Sequence, residues 1–220
     1  MMNDFQLIDR FEDPGEGDFA LYRRGRTYEI RFRGRILMSS GHTGSEASMA
    51  NLCLDFAGNV ESPRILVGGL GMGYSLRALL DELPPGARVV AAEIFPAVLE
   101  WNRSRLGHLA GRPLEDPRVT ARVVDVFELL RQPGDPFHAI LLDVDNGPGA
   151  LSLDRNRRLY EREGLVLIRS RLLPPGGLIV WSADPSPSFK ENLKGAGFRV
   201  EEHSFPVGTR SYTLYRASKT

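Results

Sequence analysis

A glycine-rich turn between an apolar segment and an amphipathic one is the feature that most constrains this chain. Residues 65–67 have the composition of a buried strand, and apolar residues recur at helical spacing over 74–83. Gly69, Gly71 and Gly73 lie between the two segments. Glycine permits a sharp turn and lets backbone N–H groups approach a ligand near a helix N-terminus. This order predicts a Rossmann-like α/β domain with a ligand site at the turn, although several glycines can also form a purely structural turn.

Strands and helices continue to alternate after this turn. Further strands are predicted at 89–92, 119–124, 139–142, 178–181, 198–203 and 211–215, and helices near 126–131, 156–172 and 186–195. The strand at 139–142 lacks polar alternation, which suits a parallel sheet covered on both faces. The last two strands are joined by a loop too short for a crossover helix. We therefore expect a mostly parallel seven-stranded sheet that ends in an antiparallel hairpin at one edge.

The N-terminal part has a different period. Residues 19–38 alternate apolar and charged side chains with glycine at the turns, which predicts a small antiparallel β meander. From Ser45 the spacing of apolar residues becomes helical. The expected organisation is a β-rich region at 1–44 and a Rossmann-like nucleotide-binding catalytic domain at 45–220.

Composition excludes several functions. Lys plus Arg and Asp plus Glu both number 28, so no net field favours nucleic acid or an anionic membrane as a partner. The single cysteine excludes an intrachain disulfide and a cysteine-rich zinc site. The first residues lack the features of a signal peptide, and no apolar stretch approaches the ~20 residues needed to span a bilayer. We expect a cytoplasmic protein.

Acidic residues follow three of the predicted parallel strands. Glu93 ends the strand after the glycine turn, where an acid accepts ribose hydroxyl hydrogen bonds, and Ile94 follows it at the cofactor site. Asp125 ends the third strand and is placed to accept an adenine amino group, with Val126 and Phe127 beside the base. The alternative for Asp125 is an N-cap of the helix at 126–131, and both roles can hold together.

The fourth strand leads into a segment rich in acidic and amide residues. Asp143, Asp145 and Asn146 lie at the mouth of the expected crevice, where they could hold or deprotonate an amine or orient a substrate. A turn built by Asp, Asn, Gly and Pro is the competing interpretation. No histidine joins the two acids, so no metal site is expected. The polar loop at 39–46 could close over the cofactor with Glu46 directed inward, or serve as a surface turn and helix cap.

The ordered set of motifs at 64–182 resembles the polyamine aminopropyltransferases, the spermidine synthase family, a branch of the class I S-adenosylmethionine-dependent methyltransferase fold. The matching segments lie at 65–69, 92–96, 116–119, 124–130, 142–143, 159–160 and 173–177. The N-terminal meander is similar to a shortened form of the family's β-rich N-terminal domain. The resemblance implies a transferase that uses S-adenosylmethionine or its decarboxylated form, a small-molecule acceptor such as an amine, and a homodimer.

Departures from the family pattern bear on the reaction. Family synthases carry an acid within the glycine loop that holds the aminopropyl amine, and this chain has Gly71 at the nearest position. By the match, Asp143 takes the amine-activating position at the cofactor, and Asp145 is the candidate for the second catalytic acid. The bare amides of the glycine loop would suit the carboxylate of S-adenosylmethionine. We therefore expect methyl transfer to a small molecule, with aminopropyl transfer to a polyamine and a non-catalytic nucleotide-binding or scaffold protein as alternatives.

Overall fold

In the computed structural model the chain divides into two units, between residues 43 and 44. The structure describes residues 5–13, 17–41, 44–57, 60–149, 151, 153–207 and 210–219. Within these ranges, none of the helices combines the length and the apolar character that crossing a bilayer would require.

The N-terminal unit is a four-stranded antiparallel sheet in the order β1-β2-β3-β4. Its strands are β1 (Gln6–Asp13), β2 (Gly17–Arg24), β3 (Thr27–Phe32) and β4 (Arg35–Ser39). Alternation places apolar side chains on one buried face, where Phe19 and its cross-strand partner Phe32 have ring centroids 4.6 Å apart. The predicted meander is confirmed, and β1 is a strand that the sequence did not predict.

The second unit is a seven-stranded sheet with helices between its strands. The strands are β5 (Arg64–Gly68), β6 (Arg88–Glu93), β7 (Val119–Val123), β8 (Phe137–Leu142), β9 (Leu172–Ser182), β10 (Arg199–Val207) and β11 (Arg210–Lys219). The helices are α1 (Glu46–Ala57), α2 (Tyr74–Glu82), α3 (Pro96–Arg103), α4 (Val126–Arg131), α5 (Arg157–Tyr160), α6 (Arg162–Ser170) and α7 (Pro187–Gly195). Short 3-10 turns occupy Gly107–Ala110, Pro113–Glu115 and Asp154–Asn156.

The strand order β10-β11-β9-β8-β5-β6-β7 creates the crevice in which the predicted residues lie. Strands β5 to β9 run parallel, whereas β11 is antiparallel to β9 and β10 to β11. The chain builds outward from β5 to β7 and then returns to place β8 on the other side of β5. Such a reversal opens a crevice at the carboxyl ends of the central strands. The predicted α/β fold and its edge hairpin are confirmed.

Strands β10 and β11 each end four residues later than predicted, and two larger differences concern a helix and strand β9. The helix expected over 156–172 is divided into α5 and α6 because Glu161 has an extended backbone, with ψ of 162°. A Cβ at Gly164 would lie 1.9 Å from the carbonyl oxygen of Arg158, so glycine allows the start of α6 to pack against α5. Strand β9 begins six residues earlier than expected because Leu172 pairs with Phe137 of β8 and because β11 is long enough to reach Gly176.

Candidate active site

The glycine turn lies between β5 and α2, where the strand order reverses. Gly69, Gly71 and Gly73 have φ of +87°, +52° and +83°, in the left-handed region that favours glycine. A Cβ at Gly69 would lie 2.1 Å from the backbone carbonyl oxygen of Asp143. The Asp143 N–H in turn donates to the Gly68 carbonyl oxygen at 2.8 Å. The turn and the acidic segment after β8 therefore share a backbone contact that leaves no room for a side chain.

Glu93 is buried at the end of β6, beside this turn, with 7% of its surface exposed. Its Oε2 accepts the Leu70 N–H at 3.1 Å and its Oε1 accepts the Phe95 N–H at 2.9 Å. Burial raises the pKa of Glu93, and hydrogen bonds from backbone N–H groups, including those of Leu70 and Gly71, act in the opposite direction. The carboxylate thus organises the glycine turn in addition to its predicted contact with ribose. Ile94, the predicted neighbouring contact, is half-buried.

Asn102 on α3 is a supporting residue that the sequence analysis missed. Its Nδ2 donates to the Gly71 carbonyl oxygen at 2.8 Å and to the Val98 carbonyl oxygen at 2.9 Å. The side chain is 3% exposed, next to the position that a Cβ at Gly73 would occupy. The available signal was an amide on a helix whose other inward positions are apolar. Asn102 ties α3 to the middle of the glycine turn.

We expect Asn102→Ala to lower the free energy of unfolding by about 1–3 kcal/mol, because it removes a buried side chain whose amide donates to the partly buried Gly71 carbonyl group. Urea denaturation followed by circular dichroism measures the change. The matched control is Asn51→Ala on the exposed face of α1, for which we expect a change within about 0.5 kcal/mol. Equal losses in the two variants would show that the bond to the turn contributes nothing.

Asp125 is the N-cap residue of α4, which confirms one of its two predicted roles. Its Oδ1 accepts the Phe127 N–H at 2.8 Å and the Glu128 N–H at 3.4 Å. Its Oδ2 accepts from Nη2 of Arg158 at 2.8 Å. Val126 is buried, with 6% of its surface exposed. The adenine contact of Asp125 and the base contact of Val126 stay predictions.

Asp143 follows β8 and is held by a side chain from α2. The Ser75 hydroxyl donates to Asp143 Oδ2 at 2.8 Å. Burial raises the pKa of Asp143 to about 6, the Ser75 hydrogen bond lowers it, and the charge of Glu46 raises it further. Glu46 begins α1, is 8% exposed and accepts the Gly44 N–H at 2.7 Å. The charge of Glu46 therefore acts on the half-buried carboxylate of Asp143 at this end of the sheet.

The loop before α1 is described only in part. Glu46 is directed into the protein, whereas His42 of the same predicted polar loop lies outside the described residues. Burial and the charge of Glu46 also raise the pKa of Tyr74, at the start of α2. The charge of Glu46 thus acts on both Asp143 and Tyr74.

Asp145 stabilises the acidic loop, which is the segment 143–148 after β8. Its backbone has φ of +60°, and its Oδ2 accepts the Leu153 N–H at 2.8 Å and Asn156 Nδ2 at 3.4 Å. Its Oδ1 accepts the N–H of Asn146 at 2.9 Å. The hydroxyl of buried Tyr160 donates to the Val144 carbonyl oxygen at 3.0 Å, which joins α5 to the same loop. These bonds make Asp145 a loop-organising residue in this structure, and its predicted catalytic role stays untested.

Glu93, Asp125 and Asp143 lie at the carboxyl ends of parallel strands in the middle and at one edge of the sheet. Glu93 and Asp143 flank the glycine turn on its two sides, at the ends of β6 and β8. Asp125 lies one strand further, and the N–H of Val124 before it donates to the Glu93 carbonyl oxygen at 2.9 Å. This arrangement offers acceptors for hydroxyl and amino groups along one crevice. It also offers the half-buried carboxylate of Asp143, whose pKa of about 6 suits proton exchange near neutral pH.

Two curated proteins with sequences similar to this chain are both named polyamine aminopropyltransferase. The chain is 32% identical over 155 residues to the polyamine aminopropyltransferase of Mycobacterium tuberculosis, covering 66% of this chain and 28% of that protein. It is 30% identical over 154 residues to the polyamine aminopropyltransferase of Shouchella clausii, covering 68% of this chain and 50% of that protein. The chain therefore spans between about a quarter and a half of the length of these relatives. No protein-family model matches it.

Solved structures share the fold at low sequence identity. The spermidine synthase from Thermotoga maritima superposes with a TM-score of 0.78 at 14% identity, over 98% of this chain and 73% of that one. A spermidine synthase in complex with the transition-state analogue AdoDATO gives a TM-score of 0.77 at 16% identity, over the same shares of the two chains. In sequence and in fold, this chain is spermidine synthase-like, as the motifs around the glycine turn indicated.

Proposed function

We propose that the chain transfers an aminopropyl group from decarboxylated S-adenosylmethionine to a polyamine acceptor. The observation that carries the proposal is a pair of carboxylates beside the glycine turn: Glu46 is 8% exposed, and its charge raises the pKa of the half-buried Asp143. The charge of Glu46 raises the cost of ionising Asp143, and a bound ammonium group would offset that cost. A cationic amine therefore fits this end of the crevice better than a neutral or anionic group.

Methyl transfer, the first expectation from the sequence, gains no support. That expectation relied on free amides of the glycine loop for the carboxylate of S-adenosylmethionine. The Leu70 N–H and the Gly71 N–H instead bond to Glu93, which also places a buried carboxylate behind the loop. The named relatives are aminopropyltransferases. Both facts favour the substrate that lacks a carboxylate.

The residues present fit such a substrate. Glu93 and Asp125 provide acceptors for ribose and base, and Asp143 lies toward the acceptor side of the turn. In the transfer, the amine lone pair forms a bond to the aminopropyl carbon attached to the sulfonium, and the pair of the broken C–S bond stays on sulfur to give a neutral thioether. The amine loses one proton, which Asp143 accepts. Ser75 keeps the Asp143 carboxylate in place, so the chain contributes mainly position and proton removal.

Calorimetric titration tests the proposal. We expect decarboxylated S-adenosylmethionine to bind at least about tenfold more tightly than S-adenosylmethionine, and Glu46→Gln to reduce this preference by roughly threefold or more, as loss of one charge contact requires. Glu82→Gln at the exposed end of α2 is the matched control. Tighter binding of S-adenosylmethionine would restore methyl transfer. Absence of binding by either compound and by the thioether product would favour a scaffold protein.

Turnover is measured as release of 5′-methylthioadenosine with a short diamine as acceptor. The homodimer implied by the resemblance and the cytoplasmic location expected from the composition stay predictions, and sedimentation analysis tests the first of them.

A further inference from the structure

Arg158 forms an ion pair with Asp125, although the two residues are 33 positions apart in the sequence. It projects from α5, and its Nη2 donates to Asp125 Oδ2 at 2.8 Å. Its Nη1 donates to Glu128 Oε1 at 2.9 Å, and its guanidinium carbon lies 4.5 Å from the centre of the Phe127 ring. Three contacts therefore hold the guanidinium against the first turn of α4, the segment predicted to contact the base.

Asp125 and Arg158 can each form one more hydrogen bond beside the bond that joins them. Asp125 Oδ1 is directed to the α4 N–H groups, whereas Oδ2 accepts from Arg158 and, like any carboxylate oxygen, has a second lone pair. Arg158 Nη2 carries two hydrogens, and the bond to Asp125 uses one of them. The Nε–H of Arg158 is buried without a hydrogen-bond partner in the described part of the chain. The pair thus presents one acceptor and one donor side by side.

We propose that Asp125 and Arg158 together recognise the 6-amino edge of adenine, which makes Arg158 a specificity-determining residue. The proposal rests on the proposed adenosyl substrate. Asp125 Oδ2 accepts from the 6-amino group, and Arg158 donates to the ring nitrogen beside that group. A 6-oxopurine has an oxygen in place of the amino group. That oxygen and the Asp125 carboxylate are both hydrogen-bond acceptors and would repel each other, so the 6-oxopurine should bind more weakly.

The ion pair also affects how firmly Asp125 is held. The side chain of Asp125 is 14% exposed, and that of Arg158 is 38% exposed. An exposed ion pair alone would contribute little to stability. Stacking on Phe127 and the second bond to Glu128 restrict the guanidinium of Arg158 to one orientation. A contact that served only to neutralise charge would not require a fixed orientation. Orientation is the property that base recognition requires.

Binding of adenine analogues tests the role of Arg158 without turnover. The probes are 5′-methylthioadenosine, its 7-deaza and 1-deaza analogues, which lack one or the other flanking nitrogen, and 5′-methylthioinosine. In the wild-type chain we expect one deaza analogue to bind roughly tenfold more weakly than the parent, as loss of a charge-assisted bond predicts. In Arg158→Met we expect the binding of 5′-methylthioadenosine to weaken by a similar factor. The difference in affinity between this parent compound and that analogue should disappear.

Two controls keep the test specific. Arg157→Met removes a neighbouring, more exposed arginine whose contact is with Asp154, and it should retain the wild-type preference. Arg158→Lys retains the charge without the planar fork and should lose most of the preference, so it decides the question if Arg158→Met does not fold. Equal binding of the parent and both deaza analogues by the wild type, or an unchanged preference in Arg158→Met, would overturn the proposal. Failure of the wild type to bind any adenosyl compound would instead overturn the proposed function.

Discussion

Asp143→Asn should lower kcat for aminopropyl transfer by about 10²–10⁴-fold, the range typical for loss of a proton-transfer group. The amide keeps the shape of the side chain and can still accept from the Ser75 hydroxyl, but it cannot take the proton of the amine. The dissociation constant of the thioether product should change by less than about threefold, since the product carries no amine at this position. Product release assays and calorimetry measure the two quantities.

The pH dependence provides a second readout of the same residue. The pKa of Asp143 is raised to about 6 by burial, so kcat/KM of the wild type should rise with pH through this region as the carboxylate forms. In Asp143→Asn this rising limb should be absent. Asp154→Asn, at a fully exposed carboxylate in the loop before α5, is the matched control and should keep the limb. Unchanged turnover in Asp143→Asn would remove this residue from the mechanism.

Stability should depend on pH with a defined sign. Because the folded pKa of Asp143 is raised, its contribution to stability is complete below about pH 4 and is lost as the pH rises through about 6. Asp143→Asn should therefore be more stable than the wild type at pH 8, by about 1–3 kcal/mol. The difference should vanish near pH 4. Urea denaturation at the two pH values measures it.

Gly69→Ala should lower the free energy of unfolding by more than about 3 kcal/mol, at the upper end of single substitutions. A non-glycine residue at positive φ costs about 1–2 kcal/mol. The remainder arises because the new Cβ would lie 2.1 Å from the carbonyl oxygen of Asp143, which forces one of two backbone segments to move. Displacement of Asp143 should also reduce turnover in whatever fraction stays folded.

Gly25→Ala is the control that separates the cost of positive φ from the cost of the steric clash in Gly69→Ala. Gly25 has φ of +59°, and a Cβ there would meet no atom of the described residues within 4 Å. Its substitution should cost about 1 kcal/mol, the strain alone. Denaturation of both variants by urea gives the comparison. Equal losses would mean that the close approach of the glycine turn to the acidic loop has no energetic consequence.

Much of the fold followed from periodicity. Uninterrupted apolar strands such as 139–142 predicted a parallel sheet, and the short loop before 211 predicted the edge hairpin. The errors arose where pairing partners decide the structure. β1 has no strong alternation of its own and is paired along its length with β2, and the early start of β9 depends on its pairing with β8 and β11.

For the site, the sequence by itself determined which acids end the strands. Glu93, Asp125 and Asp143 each follow a predicted strand, and the carboxyl ends of parallel strands meet at one edge of a sheet. Such local order along the chain is visible without coordinates. It was enough to predict the crevice, its family resemblance and the adenosyl-type ligand now proposed.

Only the tertiary structure decided which partner each acid has. Arg158 reaches Asp125 across 33 residues, and Ser75 reaches Asp143 across 68. Glu46 acts on Asp143 from another helix. Two such contacts change the expected reaction: the Leu70 N–H of the glycine loop bonds to Glu93, and the charge of Glu46 acts beside Asp143, an arrangement that suits an amine. Hydrogen bonds and charge interactions depend on distance in space, and that distance is set by how the helices pack on the sheet rather than by spacing along the chain.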